Sequence, residues 1–176
     1  MPDLQQELAQ ILTTVKHDGE ILTFFDPPQR AIITTPEIVL QFMRGAEQII
    51  GLRGAKVLMY STGFNVTYPM AERIRATTEA SLEQAFGVYI HNMALRGWGK
   101  LEIVECSLEK GTAVGQATRS IFAEGYSQLG EPVCNFYAGA LAGMLAGYRG
   151  KRAVAREIAC QAAGSARCRF EVESAK

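Results

Sequence analysis

The chain has 176 residues, with 18 Lys+Arg against 18 Asp+Glu, 48% hydrophobic and 20% charged. That length suits one domain with a core of ordinary size, and the composition excludes a disordered tail, a collagen and a coiled coil. A net charge of zero argues against broad, charge-driven nucleic-acid binding.

In chain order, Asp3 is expected to cap a first helix with Leu4, Leu8, Ile11, Leu12 and Val15 on one stripe, ended by Gly19. Strand-like runs Glu20 to Phe25 and Arg30 to Thr34 follow, joined by the turn Asp26-Pro27-Pro28. Thr35 then caps a second helix with Pro36 at its first position, and its apolar stripe is Val39, Phe42, Met43, Ala46, Ile49 and Ile50. Between Ala55 and Ile74, the run Val57-Leu58-Met59-Tyr60 reads as a buried strand or part of a helix; periodicity does not decide so short a run.

A long helix starts near Thr78, with Leu82, Ala85, Phe86, Tyr89, Met93 and Ala94 on one face, and Gly97-Trp98-Gly99 stops it. Leu101 to Ser107 and Thr112 to Ser120 form a hairpin around Glu109-Lys110-Gly111. A helix from about Glu131 to Tyr148 carries Gly139, Gly143 and Gly147 on one face, the mark of a close backbone or ligand, with tight helix–sheet packing as the plain reading. Strands near Ala153 to Ala159 and Arg167 to Glu173 close the chain, linked by Gln161 to Ser165. The sum is α+β, with about five helices and a largely antiparallel sheet.

Nothing at the N-terminus has the basic start and apolar run of a secretory signal, so a reducing cytosol is the expected location. The longest uncharged apolar stretch, Phe136 to Tyr148, is shorter than the roughly 20 residues a transmembrane helix needs. Peripheral membrane attachment stays open.

Four cysteines remain to be placed. Cys160 and Cys168 flank a turn at Gly164, Glu157 precedes Cys160 by three residues, and Cys134 lies near the start of the glycine-bearing helix. Three thiolates and a carboxylate make a complete four-coordinate zinc set of the closed, structural kind. Glu157 and Cys160 would face opposite sides of a straight strand, so shared ligation requires a bend or bulge between them. Buried thiols acting as small hydrophobes are the other reading. Cys106 stands apart and is expected to be a buried core thiol.

The succession Cys134, Gly139, Gly143, Glu157-Ile158-Ala159-Cys160, Gly164 and Cys168-Arg169-Phe170 resembles the signature of the 4-vinyl-reductase domain family. Gly63 in Tyr60-Ser61-Thr62-Gly63 fits that family's central motif. The likeness runs over residues 30–173, leaving 1–29 as an N-terminal helix-and-strand extension of one domain, 1–176. It implies a mixed α/β fold shared with the TRAPP vesicle-tethering subunits, and a homodimer. It also implies that Ala55 to Ile74 is mostly helical, with a break or kink at Pro69.

Members of that family include proteins of bacteriochlorophyll synthesis and the sensor domains of aromatic-responsive transcription activators. The sensor branch holds zinc with Cys, Glu, Cys and Cys, which correspond here to Cys134, Glu157, Cys160 and Cys168. That correspondence implies a structural zinc ion. The sensor branch also binds phenols with a His–Trp pair on the strands before the zinc segment, and Leu101 to Ser120 contains neither residue. His91 lies on the polar face of the long helix and is expected at the surface. Trp98 is expected to anchor the core or an interface. Positions of pocket aromatics in sensor relatives are small here, Ala138 and Ala155.

No dinucleotide fingerprint, phosphate loop or catalytic cysteine signature is present. A non-catalytic binder of a hydrophobic small molecule, with a tetrapyrrole as one ligand class, is therefore the leading expectation. The resemblance places it in chlorophyll synthesis or the assembly of photosynthetic complexes. Candidate lining residues are Phe86, Tyr89, Met93, Phe122, Tyr137, Ala138 and Ala155, all of which also suit an ordinary core. A dimeric protein–protein scaffold and a stand-alone regulator are the alternatives.

Overall fold

A computed structural model describes residues 4–17, 19–24, 29–32, 34–127 and 129–175. Two compact units divide the chain, Met1–Ile38 and Val39–Lys176. The first holds helix α1 (Leu4–Thr13) and a three-stranded antiparallel sheet of β1 (Lys16–His17), β2 (Leu22–Phe24) and β3 (Gln29–Ala31). Helix α1 stops well before Gly19, and Leu8 and Leu12 of its expected stripe are 41% and 54% exposed. The expected cap Asp3 and turn Asp26-Pro27-Pro28 lie outside the described residues.

Helix α2 (Pro36–Thr77) opens at Pro36, as that residue's preset φ favours, and the Ile38 N–H donates to the Thr35 carbonyl. It takes in the whole of Val57–Tyr60, so the strand reading of that run is overturned. The break falls at Gly51, where φ is 72° and ψ 164°, and not at Pro69. Glycine carries no Cβ to oppose that left-handed φ. The apolar stripe also needs correcting. Leu40 and Met43 are buried, whereas Phe42, Ile49 and Ile50 are 77%, 83% and 54% exposed.

Helix α3 (Leu82–Leu95) starts at a capping box rather than at Thr78. Ser81 accepts from the Gln84 N–H, and the Gln84 side chain accepts from the Ser81 N–H. Leu82, Ala85, Phe86, Tyr89 and Met93 are buried, as their spacing predicts. Strands β4 (Lys100–Ser107) and β5 (Thr112–Thr118) form the expected hairpin. A five-residue helix that sequence reading does not find, α4 (Ile121–Gly125), is capped by Ser120.

Helix α5 (Asn135–Arg149) ends at Gly150 in the left-handed conformation. Strands β6 (Ala153–Ala159) and β7 (Cys168–Ser174) complete an antiparallel sheet in the order β4-β5-β7-β6. A 3-10 turn at Gln161–Ala163 links them. One face of this sheet packs on α5. Leu141 lies over Gly115, where an added Cβ would come within 2.8 Å of its Cδ1.

The other side of α5 meets α2. Gly139, Gly143 and Gly147 lie against the carbonyl oxygens of Tyr60, Phe64 and Tyr68, and Gly63 of α2 lies against the Phe136 carbonyl. The contacts advance together along both helices, so the two run parallel. The neighbour of the glycine repeat is thus the backbone of a helix, not the sheet that helix–sheet packing would put there. Buried Thr67 reinforces the crossing by donating to the Ala140 carbonyl at 2.7 Å. On the outer side of β6, the Ala155 N–H donates to the Tyr60 hydroxyl at 3.0 Å.

Candidate metal centre

Four segments meet at the N-terminal end of α5. Cys134 is its N-cap residue, Glu157 sits near the end of β6, Cys160 stands in extended backbone before the 3-10 turn, and Cys168 opens β7. The register of β6 on β7 shifts between Glu157 and Ala159. That irregularity lets Glu157 and Cys160 face the same side, as shared ligation demands.

One ligand atom from each of Cys134, Glu157, Cys160 and Cys168 lies within 4.8 Å of all the others. The sulfur separations are 4.0 Å for Cys134–Cys160, 3.6 Å for Cys134–Cys168 and 3.7 Å for Cys160–Cys168. These are far beyond the roughly 2.05 Å of a disulfide. Sulfurs placed tetrahedrally at about 2.3 Å from zinc would stand about 3.8 Å apart, in the middle of the observed range. All three cysteines are 0% exposed.

Electrostatics point the same way. The Cys134 N–H donates to Glu157 Oε2 at 2.8 Å, while the buried Glu157 Oε1 has no hydrogen-bond partner. Burial, and then the Cys160 thiol, push the Glu157 carboxyl up to about 8. Hydrogen bonding to Cys160 and then Cys168, with burial, raises the Cys134 thiol well above the usual range. Hydrogen bonds from Cys134 and then Cys168 hold the Cys160 thiol well below the usual range, so one thiolate is favoured while its crowded acidic neighbours resist ionising beside it, and a divalent cation would supply the missing positive charge. The orphaned oxygen and the soft donor set fit a metal ion, so this cluster of three cysteines and a glutamate could hold one.

Outer partners orient the ligands. Ser120 Oγ lies 3.2 Å from Cys134 Sγ while also accepting from the Ala123 N–H at 3.4 Å, and the Gln161 N–H donates to Cys168 Sγ at 3.4 Å. Sequence reading misses both. The one signal for Ser120 is its place as a cap before Ile121-Phe122-Ala123.

Phe86, Tyr89, Met93, Phe122, Tyr137, Ala138 and Ala155 all fall in the main buried cluster, away from solvent. The Phe122 and Tyr137 rings meet edge-on at 5.6 Å. Trp98 stacks on Phe136 at 5.0 Å, consistent with a packing anchor. His91 is half-buried on α3, further from solvent than expected. Cys106 is half-buried on β4, not a core thiol; burial, then Glu83, push its thiol up to about 11. A depression of about 350 Å³ lies elsewhere, lined by Gly125, Tyr126, Ser127 and Leu129.

Among the described residues no helix is long and apolar enough to cross a membrane. No curated protein sequence matches the chain. Solved structures do. The chain is similar to the phenol-responsive sensory domain of the transcription activator PoxR with phenol, at 16% identity and a TM-score of 0.74, over 99% of this chain and 91% of that one. A vinyl-4-reductase family protein from Methanocaldococcus jannaschii is 19% identical with a TM-score of 0.51, over 83% and 84%. A trafficking protein particle complex subunit 3 from Naegleria fowleri, covalently bound to palmitic acid, is 12% identical with a TM-score of 0.51, over 80% and 90%. These likenesses establish a shared α+β fold. The family model of the 4-vinyl-reductase domain matches residues 114–174, which include all four clustered metal-ligand candidates. From β5 to β7 the chain is thus a match to the 4-vinyl-reductase domain family, as the spacing of its cysteines and glycines implies.

Proposed function

We propose that the chain is a non-catalytic binding module of the 4-vinyl-reductase domain type. A zinc ion held by Cys134, Glu157, Cys160 and Cys168 stabilises it, and its interior between α3 and the sheet receives a hydrophobic small molecule. The observation that carries the zinc assignment is the convergence of three buried sulfurs and an orphaned carboxylate oxygen. Thiolate ligands favour zinc over hard cations. A closed four-ligand set leaves no open position for chemistry, so the ion's role is to pin α5 to the β6–β7 turn.

Small-molecule binding is supported by the likeness to a phenol-responsive sensory domain over 99% of the chain. Phe86, Met93, Phe122 and Tyr137, apolar and aromatic side chains of the buried cluster, would suit an apolar ligand among them. Likeness to a vinyl-4-reductase family protein makes a tetrapyrrole one class to test, with pigment synthesis or photosynthetic assembly as its setting. The assay is incubation with protoporphyrin or chlorophyllide, gel filtration, and absorbance of the protein peak. Retained pigment in a fixed ratio to protein supports that class. No retention removes it and leaves smaller apolar ligands.

A second reading, a homodimeric scaffold, is favoured by one observation. Phe42 and Ile49, seven residues apart on one side of α2, stand 77% and 83% exposed, an apolar pair that a second copy could cover. Light scattering tests it. A dimer dispersed by Phe42→Glu supports the reading, and a monomer at all concentrations rejects it.

A further inference from the structure

Tyr89 leaves its hydroxyl without a hydrogen-bond partner inside the protein. The residue is 2% exposed, on the buried face of α3. Four of the other five tyrosines find a partner within the protein, and the fifth, Tyr68, is part-exposed and within reach of water. Tyr60 accepts from the Ala155 N–H, and Tyr126 donates to Glu47. Tyr137 donates to the Trp98 carbonyl, and Tyr148 to the Ala80 carbonyl. The Trp98 carbonyl also accepts from the Ile121 N–H, so Tyr137 shares its acceptor.

A phenylalanine would fill the same aromatic space without a hydroxyl to satisfy. Buried polar groups nearly always have a partner, and each exception asks for an explanation. Burial holds this phenol firmly in its neutral form, so it can donate a proton. Among the described residues the other fully buried polar or charged side chains are Thr67 and Ser120, and both are already bonded. Neither carries a charge that could pair with an ionic ligand.

We infer that Tyr89 is the polar anchor of the interior site, and that its ligand is a neutral apolar molecule bearing one oxygen that accepts from the Tyr89 hydroxyl. The inference rests on the proposal that a small molecule enters this interior. It adds the ligand's chemical class and the residue that selects it. A buried ionic head would find no fully buried charge to pair with among the described residues; Arg96, whose charge acts on the Tyr89 hydroxyl, is exposed.

A matched probe pair tests the inference: 2-acetylnaphthalene, which carries a carbonyl, and 2-ethylnaphthalene, which does not. Binding is read from quenching of Trp98, the chain's single tryptophan, in wild type and Tyr89→Phe. The ketone is expected to bind wild type about tenfold more tightly than the hydrocarbon, and Tyr89→Phe is expected to erase that preference. Equal binding of the two probes to wild type would overturn the anchor while leaving the interior site in place. Failure of both probes to bind either protein would overturn the interior site, and the anchor with it. The variant should fold, since it loses only an unmatched hydroxyl. A melting temperature equal to or above wild type confirms that the comparison is fair.

Discussion

Replacing Gly139 by alanine adds one methyl group where α5 crosses α2. The new Cβ would meet the Tyr60 carbonyl carbon at 2.7 Å and the Tyr60 Cα at 2.9 Å, besides pressing on the carbonyl oxygen. These are backbone atoms, so no side-chain rotation relieves the clash and the helices must separate. In an unobstructed helix the same change would gain about 1 kcal/mol of propensity. Overpacking costs about 1–3 kcal/mol. The expected net effect is therefore a loss of up to about 2 kcal/mol. Gly87 supplies the control, because it lies inside α3 with nothing within 4 Å of an added Cβ. Gly87→Ala should stabilise by up to about 1 kcal/mol. Urea unfolding and thermal melts of both variants measure the contrast. The propensity gain is common to both changes, so the variants differ by the overpacking cost of about 1–3 kcal/mol; at about 2–4 °C per kcal/mol for a chain of this size, the melting temperatures should differ by roughly 2–12 °C. A Gly139→Ala protein as stable as Gly87→Ala would refute the close parallel crossing.

Further outcomes follow from single contacts. Tyr60→Phe leaves the Ala155 N–H without its acceptor; about 1–2 kcal/mol should be lost in urea unfolding, with faster hydrogen exchange at Ala155, and unchanged exchange would contradict the contact. With its thiol pushed up to about 11, Cys106 should be about one part in a thousand thiolate at pH 8. Its alkylation by iodoacetamide, followed by peptide mass spectrometry, should rise about tenfold per pH unit through pH 10; a plateau by pH 9 would contradict the burial that shifts it. Glu157→Gln keeps the shape of the side chain but removes its charge, and should lower zinc affinity at least about tenfold in competition with a chromophoric chelator. An unaltered affinity would remove Glu157 from the ligand set.

Local patterns that coincide with burial are the ones the sequence makes readable. Leu82, Phe86, Tyr89 and Met93 repeat at helical spacing and all turn inward. The Glu109-Lys110-Gly111 turn announces its hairpin, with Gly111 at a φ of 68°. The glycine repeat of α5 announces a close neighbour without naming it. Helix α2 is harder to read because its apolar residues are not confined to its buried side. Val57 is 70% exposed and Leu58 48%, so the run Val57–Tyr60 lacks the periodicity that marks a helix. Helix α4 has only five residues, too few to set up a repeat. The four clustered ligand candidates are dispersed between residues 134 and 168, and their convergence depends on sheet register, a bulge and a helix start. Spacing alone leaves buried thiols as a competing account, and family resemblance supplies the grouping. The unpartnered hydroxyl of Tyr89 is invisible to pattern reading, since tyrosine and phenylalanine fill a buried helix face alike.

Cys134, Glu157, Cys160 and Cys168 are the proposed ligands of a structural zinc ion. Metal content by inductively coupled plasma mass spectrometry, on protein purified without chelator, tests that assignment most directly, paired with melts before and after metal removal. About one zinc per chain is expected, with a melting temperature that falls on chelation and recovers when zinc is restored. A metal-free protein whose melting temperature ignores both chelator and added zinc would contradict it.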